Sequence, residues 1–315
     1  LGSLFEKTRI DAVLVQGDTT TAFVGGMCAF YHKIPVGHVE AGLRSHDRYS
    51  PFPEELNRQM LGRLSSWHFA PTAHSAGLLT AENIHNNDIF VCGNTVVDAL
   101  HWMVGRAGLA PPALRIPSGL EKMVLVTCHR RENLGTPMRN VAEAVRRLSE
   151  EHDSVYFVVP MHPNPAVRDI IIPVLGNRPN VSLCEPLDYD GFLGVLKQAY
   201  LVLSDSGGVQ EEATALGKPV LVLRRETERP EGVEAGTLRL VGTDADDIVA
   251  EASDLLLNRR AYEKMTTGSS IFGDGHASKR IVRILEEKLL DHCAPSGIPW
   301  SFAATNSASV SMTSN

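Results

Sequence analysis

No segment of the chain approaches the roughly 18 to 20 uninterrupted apolar residues of a membrane-spanning helix, and no membrane partner is expected. Positive charge is also short. The formal net charge of -7 over 315 residues argues against broad attraction to nucleic acid or anionic membrane, while allowing a local basic pocket for a phosphate. The five cysteines (Cys28, Cys92, Cys128, Cys184, Cys293) are scattered, odd in number and without C-x-x-C spacing. They suggest reduced cytosolic thiols rather than a disulfide frame or zinc site. The twelve histidines never fall into H-E-x-x-H spacing, so neither a catalytic metal nor another cofactor is expected. The dinucleotide fingerprint G-x-G-x-x-G is missing, which weighs against an NAD dehydrogenase. Lys218 follows a glycine late in a predicted helix, not in a phosphate-binding P-loop. No initiator methionine or signal-peptide pattern opens the chain, and a cytoplasmic location is expected.

What is present is ordinary soluble composition, 43% hydrophobic with mean hydropathy -0.07, and enough length for two domains. Short apolar runs predict buried strands at 11–16, 35–40, 67–71 and 89–91, with helices at 20–32, 54–64, 74–81 and 96–104 between them. Strands alternating with helices predict a parallel sheet covered on both faces. A stretch rich in Gly, Pro and Ala from Gly105 to Gly119 is the linker candidate. A second series follows, with strands at 122–127, 155–159, 181–184, 201–205, 219–224 and 238–241. Helices are predicted at 138–150, 167–174, 190–199, 209–216 and 245–257. The fold class expected is α/β, with two Rossmann-like doubly wound domains, 1–108 and 109–275, facing a central cleft. A helix over 276–291, with the apolar stripe Ile281, Ile284, Leu285 and Leu289, is expected to cross back to the first domain. The Ser/Ala/Thr-rich stretch 292–315 is aperiodic and expected to be disordered.

Several motifs sit where such sheets bind ligands, at the carboxyl ends of strands. SDSGGVQEE (Ser204 to Glu212) joins a strand to a helix through Ser206, Gly207 and Gly208. Glycine lets the backbone approach a ligand, and the helix start offers unpaired N–H groups to a phosphate. Glu212, one turn on, would repel a diphosphate and suits ribose hydroxyls better. HRRENLG (His129 to Gly135) places one imidazole and two guanidiniums at a strand end, a pattern that suits phosphate recognition but also an ordinary solvated loop. His162 in MHPNP could serve the site or merely cap its turn. GDTTT and HVEAGLRS put Asp18 and Glu40 at the ends of predicted neighbouring strands, so both carboxylates should share one rim. Like charges held close split into an acid and a base. The plain alternatives are a helix cap for Asp18 and an ion pair between Glu40 and Arg44. In SPFPEELNRQ, Glu54 starts a helix where acids are favoured anyway, and Arg58 follows at i+4.

Taken together, GDTTT, HVEAGLRS, SPFPEELNR, HRREN, MHPNP and SDSGGVQEEA resemble the non-hydrolysing bacterial UDP-N-acetylglucosamine 2-epimerases, in order, over roughly Asp11 to Leu290. The resemblance implies a GT-B-type architecture, a homodimer, and interconversion of UDP-GlcNAc and UDP-ManNAc for surface polysaccharide. It implies that Asp18, Glu40 and Glu54 are the acidic residues of the reaction, with His129 near the departing diphosphate. It likewise assigns Ser206, Gly207 and Gly208 to the phosphate turn, Glu212 to the ribose, Phe192 and Arg229 to the nucleotide site, and Arg58 to the sugar end. Arg130, His162 and Glu54 match residues of a second UDP-GlcNAc site that activates some members. The family's first strand and its G-T-R-P-E turn have no counterpart here, so a longer parent chain is expected. Competing readings are a hydrolysing epimerase, a GT-B glycosyltransferase and an inactive UDP-sugar-binding fragment.

Overall fold

The computed structural model describes residues 1–105, 119–267 and 270–293. The first series runs α1 (Gly2–Lys7), β1 (Val13–Gln16), α2 (Thr20–Tyr31), β2 (Val36–Val39), α3 (Glu54–Leu64), β3 (Trp67–Ala70), α4 (Ala73–Ala81), β4 (Ile89–Val91) and α5 (Thr95–Val104). The second runs β5 (Lys122–Thr127), α6 (Thr136–Glu151), β6 (Val155–Pro160), α7 (Pro165–Leu175), β7 (Val181–Cys184), α8 (Tyr189–Gln198) and β8 (Leu201–Ser204). It continues through α9 (Gly207–Ala215), β9 (Val220–Val222), α10 (Pro230–Glu234), β10 (Leu238–Leu240), α11 (Ala245–Leu257), α12 (Arg259–Met265) and α13 (Ala277–Cys293).

Every strand pair is parallel. One sheet has the order β1-β2-β3-β4 and the other β10-β9-β8-β5-β6-β7. Counted from β5, the second order is the doubly wound 3-2-1-4-5-6, in which the chain reverses direction between its first and fourth strands. Here that switch point lies between β5 and β8, so their carboxyl ends open onto a ready crevice.

The second sheet shows why continuous apolar runs fold as buried strands. Along β5, Val124 and Val126 enter the core under α6, α7 and α11, while Met123 and Leu125 enter the one under α5, α8 and α9. β6 repeats the alternation, with Val155, Phe157 and Val159 on one side and Tyr156 and Val158 on the other. Side chains of a strand alternate between faces, so a strand with helices on both sides must be apolar throughout. α6 supplies the 3.6-residue complement through Met138, Val141, Val145 and Leu148, all buried. Each such side chain contributes about 1.5–3 kcal/mol.

The two halves exchange helices. Val97 and Leu100 of α5 belong to the core of the second sheet. In return, Ile281 of α13 is buried against Val39, Trp67, Phe69 and Cys92 of the first, with Ile284, Leu285 and Leu289 packed alongside. The predicted stripe on α13 is therefore the face that meets the first sheet. β4, β5 and β7 have the predicted bounds, β6 runs one residue longer and the other strands are one to three residues shorter, and Glu40 lies just past β2 with a left-handed φ of 64°. The sequence reading assigned no helix at α10 or α12. The linker candidate falls mostly on 106–118, and the tail after Cys293 on 294–315, outside the described residues. Among the described residues no helix is long and apolar enough to cross a membrane.

Candidate active site

β1 and β2 run side by side in the register Gln16↔Val39, and both chains turn just beyond. Gly17 takes φ 68°, where a Cβ would sit 3.3 Å from a Glu40 carboxylate oxygen. Its N–H donates to the Val39 carbonyl at 3.0 Å. Its own carbonyl lies 2.8 Å from Nε2 of His38. A carbonyl only accepts, so Nε2 carries the proton. Burial pulls the His38 pKa down to about 4, which keeps the ring neutral. The turn so fixed presents Asp18 and Glu40 on one rim.

Asp18 accepts from Arg58 at 2.8 Å (Nε) and 2.7 Å (Nη2), and its backbone carbonyl accepts from Asn57 at 2.8 Å. The cap of α2 is Thr19, whose hydroxyl accepts from the Ala22 N–H at 3.2 Å, so Asp18 is not occupied as a cap. Arg44 is bound in a fork to Glu82, at 2.6 and 2.8 Å, rather than to Glu40. Arg58 turns to Asp18, Glu55 and Glu228 instead of its i−4 neighbour Glu54. The cap reading of Asp18 and the ion pairs Glu40–Arg44 and Glu54–Arg58 are thus overturned, whereas Glu54 does stand at the helix start expected for it. Glu40 accepts from Asn94 Nδ2 at 3.2 Å and Arg229 Nη2 at 3.5 Å. Burial pushes its carboxyl above the ordinary range, and Arg229 opposes that rise. Glu54 begins α3, is half-buried and has no basic ion-pair partner among the described residues.

Across the crevice, β5 and β8 end at the switch point. Asp205, fully buried after β8, accepts the backbone N–H groups of His129 and Arg130, both at 2.9 Å, and Asn133 Nδ2 at 3.0 Å. Its backbone carbonyl accepts from Arg130 Nε at 3.2 Å. One carboxylate therefore clamps the whole HRREN loop to the next strand. His129 keeps 41% of its side chain exposed and stacks on His162, with ring centroids 5.9 Å apart and planes at 10°. Burial lowers the His129 pKa despite the opposing charge of Asp205, so the imidazole is neutral near pH 7. His162 also accepts the Asn164 N–H at 3.1 Å, so its local turn role is real as well.

Ser206 precedes α9, and Gly207 and Gly208 form its first turn, where N–H groups lack intrahelical partners. A Cβ on Gly207 would fall 2.5 Å from the Arg229 guanidinium, whereas one on Gly208 would meet open space. Arg229 is tied to Glu211 at 2.6 Å and to Glu228 at 3.5 Å. Glu212 is buried, accepts from the Tyr189 hydroxyl at 2.8 Å and has its pKa raised by burial. Phe192, on α8, is partly buried against the second sheet's core.

Asp18, Glu54, His129, Arg130 and His162 line one cleft of about 740 Å³, with Tyr49 and Phe52 on its wall. Glu40, Arg58 and Arg229 lie behind it in a chain of ion pairs between the halves. Phe192, Glu212 and the glycine turn are outside that lining, on α8 and α9. A separate groove of about 650 Å³ between α2 and α3 holds none of the candidate residues. The sequence reading missed Asp205, Asn94 and Glu228. Burial opposes ionisation of Glu228, yet Arg224, Arg229 and Arg58 hold its carboxyl well below the usual range. Removing one partner from such a buried cluster typically costs about 3–5 kcal/mol.

Comparison with known proteins gives this geometry a family. The family model described as UDP-N-acetylglucosamine 2-epimerase matches residues 1–286. A Bacillus subtilis (strain 168) protein of that name is 52% identical over 292 residues, covering 93% of this chain and 75% of its own length. The crystal structure of a Neisseria meningitidis UDP-GlcNAc 2-epimerase bound to UDP-GlcNAc aligns with a TM-score of 0.88 at 43% identity, covering 91% of this chain and 79% of that one. An S. aureus MnaA–UDP co-structure aligns at 0.87 and 46% identity, covering 92% and 79%. The chain belongs to the UDP-N-acetylglucosamine 2-epimerase family, on a GT-B-type fold of two Rossmann-like domains.

Proposed function

We propose that this chain interconverts UDP-N-acetylglucosamine and UDP-N-acetylmannosamine by elimination and re-addition of UDP. A base takes the C2 proton, the C2–H electron pair becomes the C1=C2 double bond, and the C1–O pair leaves with UDP. The intermediate is 2-acetamidoglucal. Protonation of C2 on the opposite face, with return of UDP to C1, completes the inversion.

The observation that carries this reading is that Arg229, packed against Gly207 at the start of α9, reaches Glu40 at the end of the first sheet, beside a cleft lined by Asp18, Glu54 and His129. Asp18, Glu40 and Glu54 share the acid and base roles, and Arg58 orients Asp18 at the sugar end. A carboxyl raised by burial beside a second acid suits proton transfer in both directions. Ser206, Gly207 and Gly208 receive the diphosphate, Glu212 the ribose, and Phe192 and Arg229 the rest of the nucleotide. Neutral His129 donates a hydrogen bond to the departing diphosphate. Arg130 and His162, with Glu54, form the place for a second, activating UDP-GlcNAc in the same cleft. The protein acts as a cytoplasmic homodimer that supplies activated ManNAc to surface polysaccharide.

The test is a product analysis of UDP-GlcNAc turnover by ion-exchange chromatography. UDP-ManNAc in equilibrium with UDP-GlcNAc is the expected result. Accumulation of free ManNAc with UDP would make it a hydrolysing enzyme. Sugar transfer to an added acceptor would make it a glycosyltransferase, and UDP binding without products an inactive binder.

A further inference from the structure

Among the described residues Glu40 has two side-chain donors, and both are shared with a carboxylate that the mechanism leaves unused. Asn94 Nδ2 donates to Glu40 Oε1 at 3.2 Å and also to Glu211 Oε2. Arg229 donates through Nε to Glu211 Oε1 at 2.6 Å and reaches Glu40 with Nη2 at 3.5 Å. Glu211 is 1% exposed and sits one turn into α9, directly after the glycine turn. A buried carboxylate is costly unless paired, so its presence where an apolar side chain would pack calls for a role.

We propose that Glu211 is a positioning residue: through Asn94 and Arg229 it places Glu40 and sets how much positive charge reaches it. The nucleotide-binding half thereby governs the proton-transferring half. The proposal rests on the reading of Glu40 as an acid–base group.

The geometry leaves little freedom. Asn94 is the cap of α5, and its side-chain oxygen accepts the Val96 N–H at 3.2 Å. With the oxygen committed to the helix, the amide NH₂ must face the two carboxylates. Arg229 lies against Gly207, where a Cβ would overlap its guanidinium, so one cation serves the phosphate turn, Glu211 and Glu40 together. The charged groups around Glu211 are Arg229, Glu40 and Glu212, with Glu228 reached through Arg229. Burial pushes the Glu211 carboxyl up to about 7, and Arg229 opposes the rise. Its protonation would release guanidinium charge to Glu40.

Two variants test this in the full chain. Glu211→Gln keeps the shape but turns a donor toward Asn94. Asn94→Ser keeps a good helix cap but no longer reaches either carboxylate. Each is expected to lower kcat by about 10- to 100-fold, as for a small misplacement of a reacting group. UDP affinity should stay within about three-fold of wild type. In Glu211→Gln the acidic limb of the kcat–pH profile should move to lower pH, because one carboxylate fewer competes with Glu40 for Arg229. The double variant should lose no more than the worse single one, since both act on one carboxylate. Wild-type kcat in either folded variant, multiplicative losses in the double variant, or an acidic limb that does not move would overturn the proposal. If Glu211→Gln does not fold, the kcat and UDP affinity of Asn94→Ser decide. A slow Glu40→Gln beside a normal Glu211→Gln refutes the positioning role alone. A Glu40→Gln that turns over normally refutes the acid–base reading beneath it.

Discussion

On the rim of the first sheet the site is made of side-chain carboxylates, Asp18 and Glu40, whereas on the second it is made of glycine, backbone N–H groups and one clamping acid. The difference follows from how each half is built. In the first, two short strands end in left-handed residues, Gly17 and Glu40, and neutral His38 pins the turn so that both acids project together. In the second, the doubly wound order opens a crevice between β5 and β8, and Asp205 folds the HRREN loop over it. In the proposed mechanism the first rim moves protons and the second holds the diphosphate. Damage to the first should therefore appear in turnover, and damage to the anion contacts of the second in binding, with Glu211 an exception because it acts on Glu40.

The largest expected effect lies on the first rim. Asp18→Asn and Glu40→Gln should retain UDP affinity while turnover falls by roughly 10²- to 10⁴-fold. Steady-state kinetics with calorimetric UDP titration checks this, and near-normal turnover in either variant would make that residue structural. Next comes the clamp. Asp205→Ala leaves the His129, Arg130 and Asn133 donors unpaired and should cost about 3 kcal/mol of stability, measured by denaturant unfolding. A loss below about 0.5 kcal/mol, the size of a neutral surface change, would show that the loop holds itself. Glu212→Ala, on the same half, should weaken UDP by about 1–3 kcal/mol with little change in the chemical step. Unchanged affinity would remove Glu212 from the nucleotide site.

The smallest effect sharpens the boundary between the rims. The folded pKa of Glu211 is raised from 4.5 to about 7, so its contribution to stability is full below 4.5 and is lost as pH rises toward 7. His38 has the opposite sign: its depressed pKa adds stability as pH rises from about 4 to 6.5. The two offset each other in the wild type over the shared range. Removing the Glu211 titration should make Glu211→Gln gain on wild type as pH rises from 4.5 toward 7. Parallel stability curves for the two proteins would mean that Glu211 is ionised throughout.

Much of the fold was legible because it depends on local signals. Short apolar runs bounded by turns marked the strands, and the Ile281–Leu289 stripe marked the face of α13 that meets the first sheet. α10 and α12 were not, since both are short and polar and depend on what they pack against. In the site, Asp18, Glu40 and His129 stood out because they follow strands. Asn94 did not, because its carboxylate partners are remote in sequence, and Glu228 did not, because its burial and its contact with Arg58 arise only in the folded chain. Asn94 meets Glu211 across 117 positions, and Arg229 meets Glu40 across 189. Asp205 could have been found: an acid at a strand's end beside a glycine turn is too close to a phosphate site to be its ligand, which suggests a buried structural clamp.

The interconversion itself is tested most directly at C2. Once the C2 proton has been lost to the protein and UDP has left, the hydrogen that returns must exchange with solvent. The chain is incubated with UDP-GlcNAc in deuterated water and followed by NMR. UDP-ManNAc and the recovered UDP-GlcNAc should both carry deuterium at C2. UDP-ManNAc formed with its C2 hydrogen retained, or UDP-GlcNAc recovered unlabelled after turnover, would contradict elimination through the glucal.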